Sequence, residues 1–402
     1  MKQTALRVFC LCAFVSGIVW NLLFSMADLE ARRNQPRSTR LAMRLMPQNG
    51  AYAAQLADEV YASDPQEAES LLEHAVKLNA YDASSWVQLA LLYEAGSDLP
   101  RAEAALLRAA AVDSTFVPSW SLTNFYFRHD HTERFWYWAK KSAHMVPDDA
   151  TALLRLAWYA NPDPHEIDSR LQLNSPAIEA QFVNFLIAQG TPEAVSEAAD
   201  HLLAMPAEGE NSNQTLLQAC DWLLAQKRPD LALALWKGFA PRVAYKAPSV
   251  NSPITNGDFM NSPSSHGFDW RLTANEGASS FLNTSPDALG FEFSGHEPDK
   301  LALLSQVAPV EAQREYVLSV DYLTSGIPPD SGIEWQISDE RTGAVLAQTG
   351  SLSAEQGGTA RARFTAPPGT AFVHLSLLYQ RQPGTVRVEG KLTLKRVFMQ
   401  PA

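Results

Sequence analysis

The chain has 402 residues, more than one ordinary globular domain, and its length predicts two or three. Hydrophobic residues make up 46% of it, enough for packed cores, and a formal net charge of -12 repels a phosphate backbone, which excludes nucleic acid as an expected partner. Of the three cysteines, Cys10 and Cys12 lie in an apolar N-terminal run and Cys220 alone belongs to the body, so no intramolecular disulfide staples it.

Lys2 and Arg7 precede an almost uncharged run from Val8 to Phe24, which reads as a membrane-targeting segment over residues 1–27. Ser25-Met26-Ala27 offers a small-x-small cleavage site, but a retained anchor is the expectation. Orientation stays open at this level. Arg32, Arg33, Arg37, Arg40 and Arg44 follow the segment and would keep the body cytoplasmic by the positive-inside rule. An apolar run this close to a basic N-terminus is also the usual export signal, and a periplasmic or other extracytoplasmic body is the expected placement.

From Leu41 onward the apolar spacing is helical. Tyr52, Trp86 and Trp120 stand 34 residues apart, and Ala75, Ala109 and Ala143 keep the same step. Trp86-x2-Leu89-Ala90-x2-Tyr93, then Ala102-x3-Leu106 and Ala109, resembles the tetratricopeptide (TPR) consensus, with Ala90 in place of its glycine. The resemblance implies stacked helical hairpins over 41–160, an α-solenoid whose usual work is to hold a protein partner. Over 161–239 the period fades while helical spacing continues, which predicts degenerate repeats or a capping bundle.

One repeat departs from the rest: Trp136 occupies the position held by Ala68 and Ala102 in the preceding repeats. Around it, Phe125-Tyr126-Phe127 and Phe135-Trp136-Tyr137-Trp138 place aromatics at successive helical positions, which cannot all face one core. Tyr126, Phe135, Trp136, Tyr137 and Trp138 are therefore candidates for a partner-binding surface, beside the alternative of a bulky helix interface. His129, His131 and Glu133 carry metal-ligand chemistry, but a polar turn between helices accounts for them, and no metal or cofactor site is predicted.

Pro241, Pro248 and Pro253, with Ser249 and Ser252, mark a linker over 240–253. Beyond it the period becomes two. Tyr316, Leu318, Val320 and Tyr322 alternate with polar neighbours, as do Val373, Leu375, Leu377 and Tyr379, and Val386, Val388, Leu392 and Leu394. Turn signals at Pro328-Pro329-Asp330, Thr342-Gly343, Gln356-Gly357-Gly358, Pro367-Pro368-Gly369 and Pro383-Gly384 punctuate the strands, so 254–402 reads as an antiparallel β-sandwich.

Its opening, Ile254-Thr255-Asn256-Gly257-Asp258-Phe259 followed by Gly267-Phe268-Asp269-Trp270, resembles galactose-binding-like carbohydrate-binding modules. That resemblance implies a jelly-roll sandwich with an early strand crossing onto it, aromatics plugging the core, and a possible polysaccharide ligand. Met260 departs from the pattern at a position where an acidic residue is common, which speaks against the family's calcium site. By chemistry, Trp270, Trp335, Tyr379 and Arg381 are the candidate ligand-facing groups, because sugar rings stack on aromatics and a guanidinium clamps oxygens. Burial is the expectation for Trp270, and Trp335, between Ile333 and Ile337, reads as interior too.

Asp163, His165, Glu166 and Asp168 cluster where a helix begins and read as helix-start chemistry. No catalytic motif is present, so the chain reads as a non-catalytic, membrane-tethered scaffold of the cell envelope or of exopolysaccharide assembly. Two alternatives stand beside it: a carbohydrate-active enzyme with its carboxylates on the sandwich, and a sandwich that only caps the helices. The repeat register makes a direct prediction: Ala109→Trp overfills the hairpin and costs about 1–3 kcal/mol or more. Thermal melting checks it, and an unchanged Tm would contradict the register.

Overall fold

The computed structural model describes residues 2–206, 209–273, 277–284, 287–353 and 357–402. Among them are fourteen α-helices followed by ten strands in two antiparallel sheets, the expected multidomain α + β order. The chain divides into two compact units, Met1–Asn174 and Ser175–Ala402.

In the first unit, α1 (Lys2–Ala31) pairs with α2 (Pro36–Leu45). The 34-residue step then appears as hairpins α3/α4 (Gly50–Val60, Pro65–Leu78), α5/α6 (Ala83–Ala95, Leu99–Val112) and α7/α8 (Phe116–Arg128, Thr132–Ala143). A shorter pair, α9/α10 (Thr151–Ala160, Pro164–Leu171), ends the unit. Local chemistry sets the helix starts. Asp64, Asp82, Asp98 and Asp163 each cap a helix by accepting backbone N–H groups of the first turn, and proline sits in that turn of α4, α6 and α10. Asp163 accepts from the His165 and Glu166 amides, as the helix-start reading requires.

Ala68, Ala75, Ala102, Ala109 and Ala143 are buried, because paired helices approach too closely there for a larger side chain. Polar rivets join consecutive hairpins. The Tyr93 hydroxyl donates to Glu73 at 3.0 Å, and Arg101 reaches the same carboxylate and lies 3.9 Å over the Tyr93 ring. Tyr126, Glu103 and Arg134 repeat the trio one hairpin later. Burial and the neighbouring carboxylate push the Tyr93 and Tyr126 phenols up to about 12, so both remain donors throughout the physiological range.

The apolar N-terminal helix runs past the expected limit at residue 27. Among the described residues it is the one helix long and apolar enough to cross a membrane, over Phe9–Ala31. Its end is not a free linker, for Ala27 and Ala31 are buried with Ala42, Met46 and Tyr52, and the Ala31 carbonyl accepts from Gln55 at 2.7 Å. Three of the following arginines are paired, Arg32 with Asp28, Arg33 with Glu30 and Arg40 with Glu67.

The second unit joins two helix pairs, α11/α12 (Pro176–Gln189, Pro192–Ala204) and α13/α14 (Gly209–Ala225, Pro229–Phe239), to the sandwich. The segment 240–253 runs between the two at a tight joint. Trp236 of α14 packs at ring-centroid distances of 6.4 Å from Phe268 and 6.1 Å from Tyr245. Gly267 has φ +55°, and a Cβ built on it would fall inside the Trp236 ring. From α13, Asp221 accepts the Gly267 N–H and an Arg271 guanidinium N–H at 2.8 Å each, and its other oxygen lies 2.5 Å from His266 Nδ1. Lys227 and His374 both reach Glu340, at 3.3 and 3.0 Å.

The sandwich strands are β1 (Arg271–Leu272), β2 (Ala278–Thr284), β3 (Asp287–Ser294), β4 (Lys300–Pro309), β5 (Glu315–Ser325), β6 (Ile333–Asp339), β7 (Val345–Gln348), β8 (Gly358–Thr365), β9 (Phe372–Gln380) and β10 (Glu389–Pro401). One sheet runs β1-β4-β9-β6-β7 and the other β2-β3-β10-β5-β8, every neighbour antiparallel. Strict alternation delivers Tyr316, Leu318, Val320 and Tyr322 of β5, and Val373, Leu375, Leu377 and Tyr379 of β9, into one core. Gly343, Gly357, Gly369 and Gly384 all adopt positive φ in the expected turns, while Gln356 lies outside the described residues.

Two expectations change here. Val386 is 83% exposed and precedes the strand, which begins at Glu389. The opening motif forms a turn rather than a strand: Asn256 and Phe259 have positive φ, and the Val397 N–H donates to the Gly257 carbonyl at 2.7 Å. Its aromatics do plug the core, with Phe259 and Trp270 fully buried and the Trp270 indole N–H donating to the Asn256 carbonyl at 2.9 Å.

Two outcomes test the joint. Gly267→Ala forces the Trp236 ring to move and should lower the Tm of helices and sandwich together, by about 1–3 kcal/mol of stability; an unchanged Tm would refute the close packing. Burial raises the Glu340 pKa, but the His374 hydrogen bond and the charges of His374 and Lys227 outweigh it and hold the carboxyl below its usual range. A depressed carboxylate contributes stability above its unfolded-state pKa and loses it as pH falls through the folded one. Glu340→Gln should therefore lower Tm near neutrality and flatten its fall below about pH 5, measured by melting across pH.

Candidate functional site

Helices α3, α4 and α5 enclose a groove of about 160 Å³ in the first unit. Ala57 and Ala68 keep its floor small, Leu72 and Leu92 seal it, and Asp58 and Gln88 stand at its edge. Tyr61 and Leu91 line it while 50% and 53% exposed. Large apolar groups left half in water around a concave floor mark an interaction surface more than a finished core. The repeat step places Leu91 34 residues after Ala57, so the lane that is small in one hairpin is large in the next. Sequence reasoning missed this groove because it followed the buried lanes; an apolar residue at a position where the repeat has none to bury was the available signal.

The five aromatic candidates divide. Tyr126, Phe135 and Trp136 are buried, which removes them from any free surface in this structure. Trp136 is accommodated edge-to-face on Phe135 at 4.9 Å, with the Arg170 guanidinium of α10 5.7 Å from its ring. Tyr137 is 55% exposed and Trp138 half-buried, and Lys141 lies 4.6 and 4.5 Å from the two rings. His129 is held by Glu94 at 2.9 Å and Glu133 pairs with Arg170 at 3.2 Å, so both serve polar contacts between helices.

In the sandwich, Trp270 and Trp335 are buried, where their pattern put them, and Tyr379, offered as a ligand-facing group, is buried with them. Trp270 and Trp335 meet edge-to-face at 5.7 Å, and Tyr379 lies 6.2 Å from Phe293. Tyr379 is drawn inward by the same alternation that buries Val373, Leu375 and Leu377. Arg381 does reach the surface, where Asp299 pairs with it at 3.4 Å and with Arg387 at 3.6 Å.

A larger cleft, about 570 Å³, opens between residues 244–261 and the second half of β10. It is lined by Tyr245 and Lys246 from one wall, Asn256, Asp258 and Met260 from the turn motif, and Arg396 and Phe398 from the strand. A bulge between Leu394 and Arg396 builds it. Before the bulge Leu392 and Leu394 point inward; after it Val397 and Met399 do, which turns Arg396 and Phe398 outward. The phase change of the apolar letters across Lys395-Arg396 is visible in the sequence, and continuing the earlier alternation through it hides these residues. Gly257 closes the wall, since a Cβ there would fall on the Val397 carbonyl.

No family model and no curated protein matches the chain. Among solved structures it is similar to the C-terminal part of a TPR repeat-containing protein from Cytophaga hutchinsonii, at 15% identity over 54% of this chain and 94% of that one, with TM-score 0.32. It is also similar to YrrB, a TPR protein with an unusual peptide-binding site, at 9% identity over 52% and 93%, TM-score 0.28. A CBM4 structure is similar at 14% identity over 38% of this chain and all of that one, TM-score 0.30. At these scores the fold class rests on the hairpins and sheets themselves: a TPR-like helical repeat followed by an antiparallel β-sandwich.

Proposed function

We propose that the protein is a membrane-tethered, non-catalytic binding scaffold. Its helical repeats hold an extended segment of a protein partner, and its sandwich engages a polysaccharide in cell-envelope or exopolysaccharide assembly. The observation that carries this reading is the groove of α3, α4 and α5, where Tyr61 and Leu91 stay half exposed over a floor of alanines beside the Asp58 carboxylate. Such a groove suits a segment that presents an apolar side chain next to a cation.

Tethering is supported by the burial of Ala27 and Ala31 against α2 and α3, since cleavage after Ala27 would strip α1 from its own packing partners. An extracytoplasmic body is supported by the short basic stretch ahead of the apolar run. Against catalysis stands the cleft beside β10, where Asp258 is the one carboxylate lining it among the described residues, whereas glycoside hydrolysis uses a facing pair. Asp230, Asp339 and Glu340 do meet in a second cleft of about 250 Å³. Each is held by protein groups there: Asp230 by Arg228, Asp339 by Thr342 and Thr370, Glu340 by Lys227 and His374. A second reading, a sandwich that serves only to cover helices, is favoured by the Trp236 and Asp221 joint.

A photoreactive residue substituted for Leu91 in the membrane-bound protein should give one discrete protein adduct. Tyr61→Ala should abolish that adduct with Tm changed by no more than about 0.5 kcal/mol equivalent, as expected at an exposed position. No adduct, or one indifferent to Tyr61, would reject the groove. Reporters fused after Ala402 should be active only outside the cytoplasm; activity inside would remove the envelope role.

A further inference from the structure

The outer face of β8, β5 and β10 continues the cleft beside β10. Register places its outward residues in rungs: Thr359, Asp321 and Arg396; Arg361, Ser319 and Phe398; Arg363, Val317 and Gln400. In the middle rung the central residue is a buried serine between two large side chains. Adjacent strands lie about 4.8 Å apart, so Arg361 and Phe398 flank a trough about 10 Å across with Ser319 as its floor.

The charges on this face are unlike those of the chain. Lys246, Arg361, Arg363 and Arg396 meet Asp258, Glu315 and Asp321, a cationic excess within a protein of formal charge -12. The Arg361 side chain makes no hydrogen bond or salt bridge among the described residues, although its charge helps hold Asp321 ionised. Arg396 spends Nε and Nη2 on Asp321, its Nη1 has no hydrogen-bond partner among the described residues, and its guanidinium carbon stands 4.9 Å over the Phe398 centroid. The Arg396 guanidinium covers one face of the Phe398 ring, which leaves the other as an apolar platform for a sugar ring next to a charged clamp for its carboxylate. Ser252, Asn256 and Asn261 line the adjoining cleft, with the Asn256 amide fixed by Asn261 and Asp269, and its length suits a chain of hydroxyl-rich units longer than one ring.

We propose that this trough and the cleft beside it bind a carboxylate-bearing polysaccharide, with Phe398 under a pyranose ring and Arg361, Arg396 and Lys246 taking the carboxylates. The inference rests on the reading of the sandwich as a glycan-binding module and names the class of glycan. The polymer is a polyuronate rather than an acidic peptide because one wall of the trough is an aromatic ring and its floor is a single small residue.

Calorimetry on the full chain in detergent tests it, with a galacturonate hexamer, a neutral glucose hexamer and hexaglutamate as probes. The galacturonate hexamer should bind about tenfold more tightly than either other probe. Phe398→Ala and Arg361→Ala should each weaken it about tenfold, with Tm unchanged for the exposed Arg361 and lowered only modestly for the half-buried Phe398. Equal binding of hexaglutamate, or affinity indifferent to both variants, would overturn the assignment. Binding of the neutral hexamer alone would overturn it while sparing the glycan reading of the sandwich; binding of neither sugar would sink both.

Discussion

The second unit depends on one close approach: the indole of Trp236 lies where a side chain at Gly267 would be. Only glycine permits it, through a missing Cβ and a positive φ. Around that contact Asp221 fixes three groups of the turn 266–271, and Tyr245 and Phe268 complete the aromatic packing. Two helix pairs and a sandwich are thereby made one compact body. The consequence reaches the surface, because the chain that crosses this joint, 244–261, forms one wall of the cleft beside β10.

The first unit obeys a different constraint. Its hairpins bury Leu72, Leu89, Leu106, Leu122 and Phe135 beside the alanine lanes, and successive hairpins are also tied by Tyr-Glu-Arg trios and by Arg128 with Glu94. Alanines let the paired helices close up, and they also leave the groove at Ala57 and Ala68 into which Tyr61 and Leu91 project. The same small residues thus serve packing on one side and vacancy on the other.

Much of this was legible in the letters. The 34-residue step, the aspartate caps and the inward alternation of Tyr316 to Tyr322 and Val373 to Tyr379 are local or periodic signals, and each appears where its spacing puts it. The packing of the proline-rich stretch 240–253 was not legible, because proline reports where periodicity breaks and not whether the broken segment is packed; the contact of Tyr245 with Trp236 of α14 decides that. Tyr379 looked like a strand-end aromatic free for a ligand, yet its parity with Val373, Leu375 and Leu377 already placed it inside. Arg396 and Phe398 required noticing a single-residue slip in alternation, a feature that side-chain period alone treats as noise.

The account makes helices α13 and α14 part of the sandwich's own folding unit, and native-state hydrogen exchange on the full chain reads this most directly. Amides in Leu216–Leu223, Ala232–Phe239 and β9 should open with one common free energy, as members of a single cooperative unit do. Free exchange in the two helices while β9 stays protected would show an independent sandwich on a flexible tether, and would take the wall of the cleft with it.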